Sequence, residues 1–325
     1  MEDNVQTVKG IIKKDLLGII DSHSHLWIDT ENKQEYEQFR LDDFSLLENE
    51  LKKFKSEPVM NISESRAAVI DCQTPGCGRN VKKLLELSES TGVNIISVTG
   101  FYKKEFYGID SRLWKMSKKD AASFFEDEVR NKMTETPDSH NENNQIKAGA
   151  IKITFTGTLE GQYRILTEAA IDASLITGAP LVVHTDRGLE VEKLINLFEK
   201  KEIPFSKIML CHMDKRADIK LHKALADKSI YLEYDTFNRD KYDPEKNLWP
   251  LLIEMIRQGY SSSIMIGTDP VNNSTWNEIS KQGGLAGFFR RIAERLLRSG
   301  AGIMDIENIL KKNTQNFLSF NLNSL

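Results

Sequence analysis

The sequence predicts a (β/α)8 barrel formed by a single domain of residues 1–325. Two observations lead to this prediction: eight short apolar segments follow one another along the chain, and stretches with helical periodicity lie between them. A length of 325 residues suits such a barrel with several long loops. A doubly wound open sheet is the main alternative, but no G-x-G-x-x-G motif follows the first apolar segment to support its nucleotide-binding version.

The eight apolar segments are rich in isoleucine, valine and leucine, and they do not alternate strictly with polar residues. This pattern is typical of strands that are buried on both faces, as in a parallel sheet. The predicted strands are 17–23, 67–74, 94–102, 148–156, 179–185, 207–213, 229–236 and 262–269.

Four stretches between these strands place apolar residues at helical spacing. They are 80–91, 158–178, 189–201 and 285–299. Gly178 ends the second of them and Pro180 follows, which favours a helix end at that point.

Four connections are longer than a barrel requires, and all of them follow the carboxyl ends of predicted strands. They are 26–43, 103–117, 237–247 and 270–284. Barrel enzymes build their sites from these loops. The polar stretch 134–145 is instead predicted to be a surface loop on the other face.

The composition gives no reason to expect nucleic acid or a membrane as a partner. The chain carries 44 basic and 48 acidic residues, a net charge of −4. Its apolar runs fall short of the roughly 20 residues that span a bilayer, and its amino terminus lacks the layout of a signal peptide. Three cysteines, Cys72, Cys77 and Cys211, suit a reducing compartment. We therefore expect a cytoplasmic protein.

Metal-binding residue types occur at the ends of the predicted strands. His23 and His25 end the first strand, His184 the fifth and His212 the sixth, while Asp269 ends the eighth. Residues two apart on a strand face the same side, and the carboxyl ends of barrel strands share one rim. Imidazole and carboxylate groups are ligands of divalent metal ions. The five side chains are therefore predicted to converge on one metal site.

The other two histidines are predicted to lie at the surface, His140 in the polar loop and His222 in a helical segment. Cys211 is adjacent to His212 but faces the opposite way on its strand, so we expect it in the core. Arg79 is expected to have a structural role, and Asn80 to cap the helix that follows it.

Lys152 lies within the nearly apolar segment AGAIKITFT. A buried lysine is costly unless its charge is paired or removed. One interpretation is a structural lysine that reaches solvent or pairs with a carboxylate. The other is an amine with a lowered pKa that captures CO2 and becomes a carbamate, whose two oxygens can bridge two cations. The residues alone do not decide between these interpretations.

Several segments occur in an order that matches a known family along nearly the whole chain. They are DSHSH, DCQTPGCGRN, VTGFY, AIKIT, VVHT, LCHMD and GTDP. The set resembles the phosphotriesterase-like family of the amidohydrolase superfamily, which includes lactonases. The resemblance implies a barrel enzyme with two divalent metal ions, in which His23, His25 and Asp269 hold the more buried ion and His184 and His212 the more exposed one.

The same resemblance implies that carboxylated Lys152 and a hydroxide bridge the two ions. The hydroxide attacks a carbonyl carbon, and Asp269 acts as the catalytic base that takes its proton and passes it to the leaving alkoxide. Zinc suits the histidine and carboxylate ligands, with manganese, iron and cobalt as alternatives.

Two positions bear on the substrate through the resemblance. Tyr102 matches the place where relatives have an aromatic residue beside the metals, and it either orients a substrate or packs at the rim of the barrel. Many relatives have an arginine directly after the aspartate of the seventh strand, where this chain has Thr236 after Asp235. This departure argues against specificity for acyl-homoserine lactones.

The connection 237–247 contains Arg239, Lys241 and Tyr242. Arginine offers a bidentate donor set and lysine a point charge for an anion such as phosphate. The loop is therefore either a solvated charged segment or an anion-binding part of the site. The second reading agrees with a Gram-positive group of the family that hydrolyses phosphorylated sugar lactones.

The function predicted from the sequence is that of a lactonase acting on a sugar lactone, with phosphorylation of the sugar left open. The alternatives are hydrolysis of organophosphate triesters or other carboxyl esters, and a catalytically silent metal-binding partner protein. A small-molecule ester or lactone is the expected partner, and a homodimer is expected from the resemblance, because relatives are often dimers.

Overall fold

The computed structural model describes residues 3–30, 34–60, 65–136 and 145–321. Within them, eight parallel strands form one sheet in sequence order. They are β3 (Ile19–Ser24), β4 (Ala67–Asp71), β5 (Asn94–Gly100), β6 (Ala150–Phe155), β7 (Leu181–Thr185), β8 (Ile208–Cys211), β9 (Tyr231–Tyr234) and β10 (Ile264–Ile266). Seven of them lie within one predicted segment each, and β3 extends one residue beyond the segment 17–23. Segments that can be buried on both faces are the ones that become central parallel strands.

The sheet closes where the chain leaves β10 and meets β3. The backbone N–H groups of Thr268 and Asp269 donate hydrogen bonds to the carbonyl oxygen of His23 at 3.1 and 2.9 Å. With helices in the connections between strands, this confirms the predicted (β/α)8 barrel.

Four helices correspond to the four predicted stretches. They are α2 (Val81–Thr91), α4 (Gly161–Thr177), α5 (Val191–Lys200) and α9 (Gly284–Arg298). Gly178 adopts the left-handed conformation directly after α4, with φ of 77°, as the predicted helix end requires. The side chain of Asn80 accepts a hydrogen bond from the Lys83 N–H at 3.1 Å, so Asn80 caps α2 as expected.

Further helices of the described part complete the outer layer. They are α1 (Phe44–Ser56), α3 (Lys118–Arg130), α6 (Ile219–Asp227), α7 (Leu248–Arg257), α8 (Asn273–Lys281), α10 (Ile303–Glu307) and α11 (Asn313–Leu318). A π-helical stretch, Asn308–Lys312, joins the last two. None of the described helices combines the length and the apolar character that crossing a membrane would require.

Helix α8 corrects the prediction of an irregular connection at 270–284. Asn272 and Thr275 form a reciprocal cap at its start, with Thr275 N–H donating to the Asn272 side chain at 2.9 Å. Trp276 and Ile279 are buried on one face of the helix. The apolar periodicity is too short to be recognised from sequence, and packing of this single face supplies the stability.

The amino-terminal end of the barrel is filled by both ends of the chain. Strands β1 (Asn4–Thr7) and β2 (Gly10–Lys13) form an antiparallel hairpin. Val5 of the hairpin and Phe317 and Leu318 of α11 belong to the same buried cluster as Ile20 and Val182 of the barrel interior. The cavity of the barrel is therefore approached from the carboxyl ends of the strands.

The prediction that His222 lies at the surface is wrong. His222 lies on the inner face of α6 and is fully buried. Its two ring nitrogens lie 2.6 Å from the Tyr234 hydroxyl and 2.9 Å from the Arg216 carbonyl oxygen. Tyr234 points outwards from β9 towards the helices, a tertiary neighbour that the helical sequence does not reveal. His140 lies outside the described residues.

Arg79 and Cys211 have the structural positions that were predicted. Arg79 is buried and makes two parallel hydrogen bonds to the carboxylate of Glu128, at 2.9 and 2.8 Å. Cys211 is buried in the barrel interior, in the cluster that also contains Met209.

Candidate metal centre

The six predicted metal ligands line one cavity of about 310 Å³ at the carboxyl ends of the strands. His23, His25, Lys152, His184, His212 and Asp269 come from five strands or the residues that follow them. The structure thus brings the predicted ligands together, including Lys152, whose side chain is buried within the barrel.

One set of these side chains surrounds the Asp269 carboxylate. Asp269 Oδ1 lies 3.7 Å from His23 Nε2 and 3.6 Å from His25 Nε2. Ligand atoms of these three residues all lie within 4.8 Å of one another. Two imidazoles and a carboxylate form a donor set that suits zinc.

A second set is formed by the other two histidines. His184 Nδ1 lies 2.9 Å from His212 Nε2. The opposite nitrogens of both rings face carboxylates, because His184 Nε2 lies 3.2 Å from Asp186 Oδ1 and His212 Nδ1 lies against Asp235. Since a carboxylate accepts hydrogen bonds, it favours the tautomer whose inner nitrogen carries a lone pair. The two rings are thereby prepared to share a cation.

The electrostatics of the histidines agree with ligation. Burial lowers the pKa of His184 to about 4 and holds the pKa values of His23 and His212 well below the ordinary range. Neutral imidazole is the form that binds metal ions. The donor chemistry and the converging geometry therefore fit the two cations that the sequence predicts.

Two of the predicted ligands have unusual backbone conformations. His212 directly follows β8 and has a φ of 65°, and Asp269 lies three residues beyond the end of β10 and has a φ of 44°. This region is uncommon for residues other than glycine and costs about 1–2 kcal/mol. The left-handed turn follows each strand while its side chain remains directed at the cavity.

The environment of Lys152 does not lower the pKa of its amine, as one of the two interpretations of the sequence assumed. Burial alone would lower the pKa, but the surrounding Cys72, Cys211, Asp269 and Glu233 hold it above the ordinary value. The amine lies 3.2 Å from His23 Nε2. The local sequence around Lys152 could not decide the question, because these acidic groups lie on other strands.

Three carboxylates to which the sequence analysis gave no role at the metal site contact the outer sides of the histidines. They are Asp186 after β7, Glu233 of β9, and Asp235, which directly follows β9. Glu233 Oε2 lies 3.4 Å from His23 Nδ1. The sequence contains a signal for the last two, because residues 233 and 235 share the inward face of a strand that ends at the rim.

Two lysines neutralise two of these carboxylates. Lys103 Nζ lies 2.7 Å from Asp186 Oδ1, and Lys215 Nζ lies 3.5 Å from Asp235 Oδ1. Both lysines line the cavity, and the sequence analysis had singled out neither.

A cationic wall, formed by Arg187, Lys215 and Arg239, borders the cavity on the side of β7 to β9. Tyr242 lies among these side chains, with its ring centroid 5.9 Å from the Arg187 guanidinium and 5.4 Å from Lys215 Nζ. Of the residues predicted to bind substrate, Tyr102, Arg239 and Tyr242 line the cavity.

Lys241 does not reach the cavity, contrary to the role predicted for it. Its side chain is exposed, and its Nζ lies 5.0 Å from the Tyr242 ring centroid. Residues 240–242 form a single 3-10 turn, which directs Lys241 outwards. Lys215, from the neighbouring connection, contributes the lysine of the cationic wall instead.

Tyr102 belongs to an aromatic wall with Phe39 and Phe106 on the side of β3 to β5. The Tyr102 ring packs edge-on against His184, with centroids 5.1 Å apart, and lies 5.1 Å from Phe106. In the sheet, β5 lies four strands from β9, so the aromatic wall and the cationic wall face each other.

Known proteins of similar sequence match this chain along nearly its whole length. The chain is 23% identical to the phosphotriesterase homology protein of Escherichia coli over 309 residues, covering 93% of this chain and 98% of that protein. It is 28% identical over 337 residues to a phospho-furanose lactonase of Mycoplasmopsis synoviae, covering 97% and 91%.

A solved lactonase from Listeria monocytogenes has the same fold, with a TM-score of 0.84 at 20% identity, over 98% of this chain and 99% of that one. The model of the phosphotriesterase family matches residues 3–318. The match includes all six residues predicted from their strand positions and the family resemblance. The chain therefore belongs to the phosphotriesterase family.

Proposed function

We propose that this protein is a binuclear metal-dependent hydrolase that opens a sugar lactone bearing a phosphate group. The observation that carries the proposal is the cationic wall beside the predicted ligands. Arg239, one of its members, donates a hydrogen bond to Asp269 Oδ2 at 2.8 Å. The name of the phospho-furanose lactonase among the relatives supports the same substrate class.

His23, His25 and Asp269 would hold one cation, and His184 and His212 the other. Two divalent cations in such a site supply a nucleophile at neutral pH and polarise the carbonyl oxygen of the substrate. Zinc fits the nitrogen and oxygen donors of both sets.

Lys152 lies next to His23, within reach of the first donor set. Addition of CO2 to its neutral amine forms a carbamate and releases one proton. The product carries one negative charge shared by two oxygens where a single amine was, which would suit a group that joins the two sets. The acidic groups that raise the pKa of Lys152 oppose loss of the proton, so we expect carboxylation to accompany cation binding.

Asp269 is the proposed proton acceptor. Burial alone would raise its pKa, but His23, His25 and Arg239 hold it well below the ordinary range, so the carboxylate is ionised. The group can therefore take a proton from attacking water and return it to the leaving alkoxide. In a lactone that alkoxide stays attached to the acyl group, and the product is a hydroxy acid.

The cationic wall is proposed to bind the phosphate. Arginine forms parallel hydrogen bonds to phosphate, and charge-assisted hydrogen bonds are about twice as strong as neutral ones. Because Arg239 also contacts Asp269, a phosphate on this wall lies only a few bonds from the carbonyl that reacts. Such a distance fits a small sugar lactone.

The same wall distinguishes the proposal from hydrolysis of organophosphate triesters. A triester is uncharged, so it gains nothing from three cationic side chains. A silent metal-binding protein would have no need of a cavity with opposed aromatic and cationic walls.

The test is a pH-indicator assay on zinc-loaded protein with a furanose lactone, its phosphorylated counterpart and the triester paraoxon. We expect kcat/KM for the phosphorylated lactone to exceed that for the unphosphorylated one about 100-fold, the value of two charge-assisted hydrogen bonds. Equal rates for the two lactones would contradict the phosphate assignment. Faster release of acid from paraoxon than from either lactone would contradict the proposed lactonase activity.

A further inference from the structure

Glu233 lies beneath the cavity and is fully buried. It occupies the centre of β9, and its neighbour Leu232 packs into the outer core, so Glu233 faces the barrel interior. A Cβ atom at Gly267 would lie 2.5 Å from Glu233 Oε1, so the absence of a side chain at residue 267 makes room for this carboxylate.

The carboxylate contacts both sets of predicted ligands. Glu233 Oε2 lies 3.4 Å from His23 Nδ1, and the same oxygen accepts a hydrogen bond from the His212 backbone N–H at 3.0 Å. His23 belongs to the Asp269 set and His212 to the other. One oxygen atom of Glu233 therefore contacts a histidine from each of the two sets.

The contact with His23 determines which nitrogen of that ring can bind a cation. His23 Nε2 faces Asp269 and Lys152, whereas Nδ1 faces Glu233. A carboxylate beside Nδ1 favours the tautomer that carries its proton on that nitrogen, so Nε2 presents its lone pair to the cavity.

Glu233 differs from the other two outer carboxylates in its charge balance. Asp186 has Lys103 and Asp235 has Lys215 as cationic partners. In the described parts of the chain, the imidazole of His23 is the ion-pair partner of Glu233, and Glu233 Oε1 has no hydrogen-bond partner.

We propose that Glu233 is a positioning residue that holds His23 and His212 in the orientation that binds cations. It strengthens cation binding through these two contacts. The inference depends on the proposed metal centre, but it does not depend on the identity of the substrate.

The test measures two quantities on Glu233→Gln: zinc affinity by competition with a chromophoric chelator, and the unfolding midpoint of the metal-free protein in urea. Glutamine keeps the shape and removes the charge. We expect zinc affinity to fall about 10–100-fold, the range for loss of such an outer partner. The midpoint of the metal-free variant should stay close to that of the wild type, because glutamine keeps an oxygen that can accept the His212 N–H.

Glu50→Gln is the matched control. Glu50 is also a buried carboxylate, but it bonds Ser280 Oγ and the Leu285 N–H among the outer helices, at 2.6 and 3.3 Å. Its loss should lower the midpoint and leave zinc affinity unchanged. If Glu233→Gln does not fold, Glu233→Asp provides the test, because its charge is retained one methylene further from His23; we expect a weaker zinc affinity.

A Glu233→Gln variant that loses stability without metal and binds zinc like the wild type would overturn the proposal, as would a Glu233→Asp variant with unchanged affinity. A wild type that binds no zinc would overturn both this proposal and the proposed function. Normal zinc binding without lactone hydrolysis would overturn the function alone, and the zinc affinities would still decide the role of Glu233.

Discussion

Arg239 donates a hydrogen bond to Asp269 Oδ2 at 2.8 Å, while Asp269 Oδ1 faces His23 and His25. One carboxylate thus joins the cationic wall to the first donor set. This geometry makes the substrate-binding and bond-breaking parts of the site testable with separate substitutions.

Replacement of Arg239 by methionine should lower kcat/KM for a phosphorylated lactone by about 100-fold or more, since both a phosphate contact and a partner of Asp269 are lost. Lys241→Met is the matched control, because Lys241 belongs to the same turn but lies outside the cavity lining. We expect its kinetics to be close to wild type. Equal losses in the two variants, measured in the same assay, would contradict the assignment of the wall.

Replacement of Asp269 by asparagine should reduce kcat by about 10²–10⁴-fold, the usual contribution of a general base. The amide has nearly the shape of the carboxylate, so the circular dichroism spectrum and the unfolding midpoint should remain similar. The base assignment would not survive a variant that turns over at near the wild-type rate.

Removal of metal with dipicolinate should abolish lactone hydrolysis, and added zinc should restore it, because the nucleophile depends on the cations. Thermal unfolding should also become dependent on zinc. At a free zinc concentration 100 times Kd, one bound ion stabilises the folded state by about 2.7 kcal/mol. A melting temperature that does not change with zinc would show that the folded protein binds no cation.

His222 should make stability sensitive to acid. Burial lowers its pKa from 6.5 to about 4 in the folded protein, so the unfolded chain binds the proton first as the pH falls. The contribution is therefore complete above pH 6.5 and is lost towards pH 4. It amounts to about 3 kcal/mol. The difference in unfolding free energy between wild type and His222→Gln should shift by this amount in favour of the variant between pH 7 and pH 4, and a constant difference would refute it.

Replacement of Arg79 by methionine should cost about 3–5 kcal/mol of unfolding free energy, because Glu128 is left buried without its partner. A second change, Glu128→Gln, should recover part of that loss. Arg164→Met removes an exposed ion pair with Glu168 and should cost less than about 1 kcal/mol. Urea unfolding of five proteins provides the comparison: the wild type, Arg79→Met, Glu128→Gln, the double variant and Arg164→Met. A fully additive double variant would argue against the pairing.

The strands and the ligands that end them were predictable from the sequence, because both follow from local pattern. A parallel strand that is buried on both faces is a short apolar run in the sequence. The residues that follow these runs all lie at the carboxyl-terminal rim of the barrel. His23, His184 and Asp269 could be placed in one site without knowledge of the angles between strands. The polar residues at the ends of the runs were therefore informative.

The questions that the sequence left open or answered wrongly concern groups whose environment is made by other parts of the chain. The pKa of Lys152 depends on Asp269 and Glu233, which arrive from β9 and the turn after β10. The burial of His222 depends on Tyr234. The direction of Lys241 depends on a single turn of backbone. No periodicity in the sequence encodes these neighbours, so they required the structure.

The filled amino-terminal end of the barrel determines how substrate enters the cavity and how product leaves it. With Val5, Phe317 and Leu318 packed into that end, substrate and product pass through the same mouth. A hydroxy acid that keeps its phosphate leaves past the same arginines and lysine that attracted the lactone. Product should therefore compete with substrate for the free enzyme. At saturating substrate concentration, release of the product rather than ring opening should limit the rate.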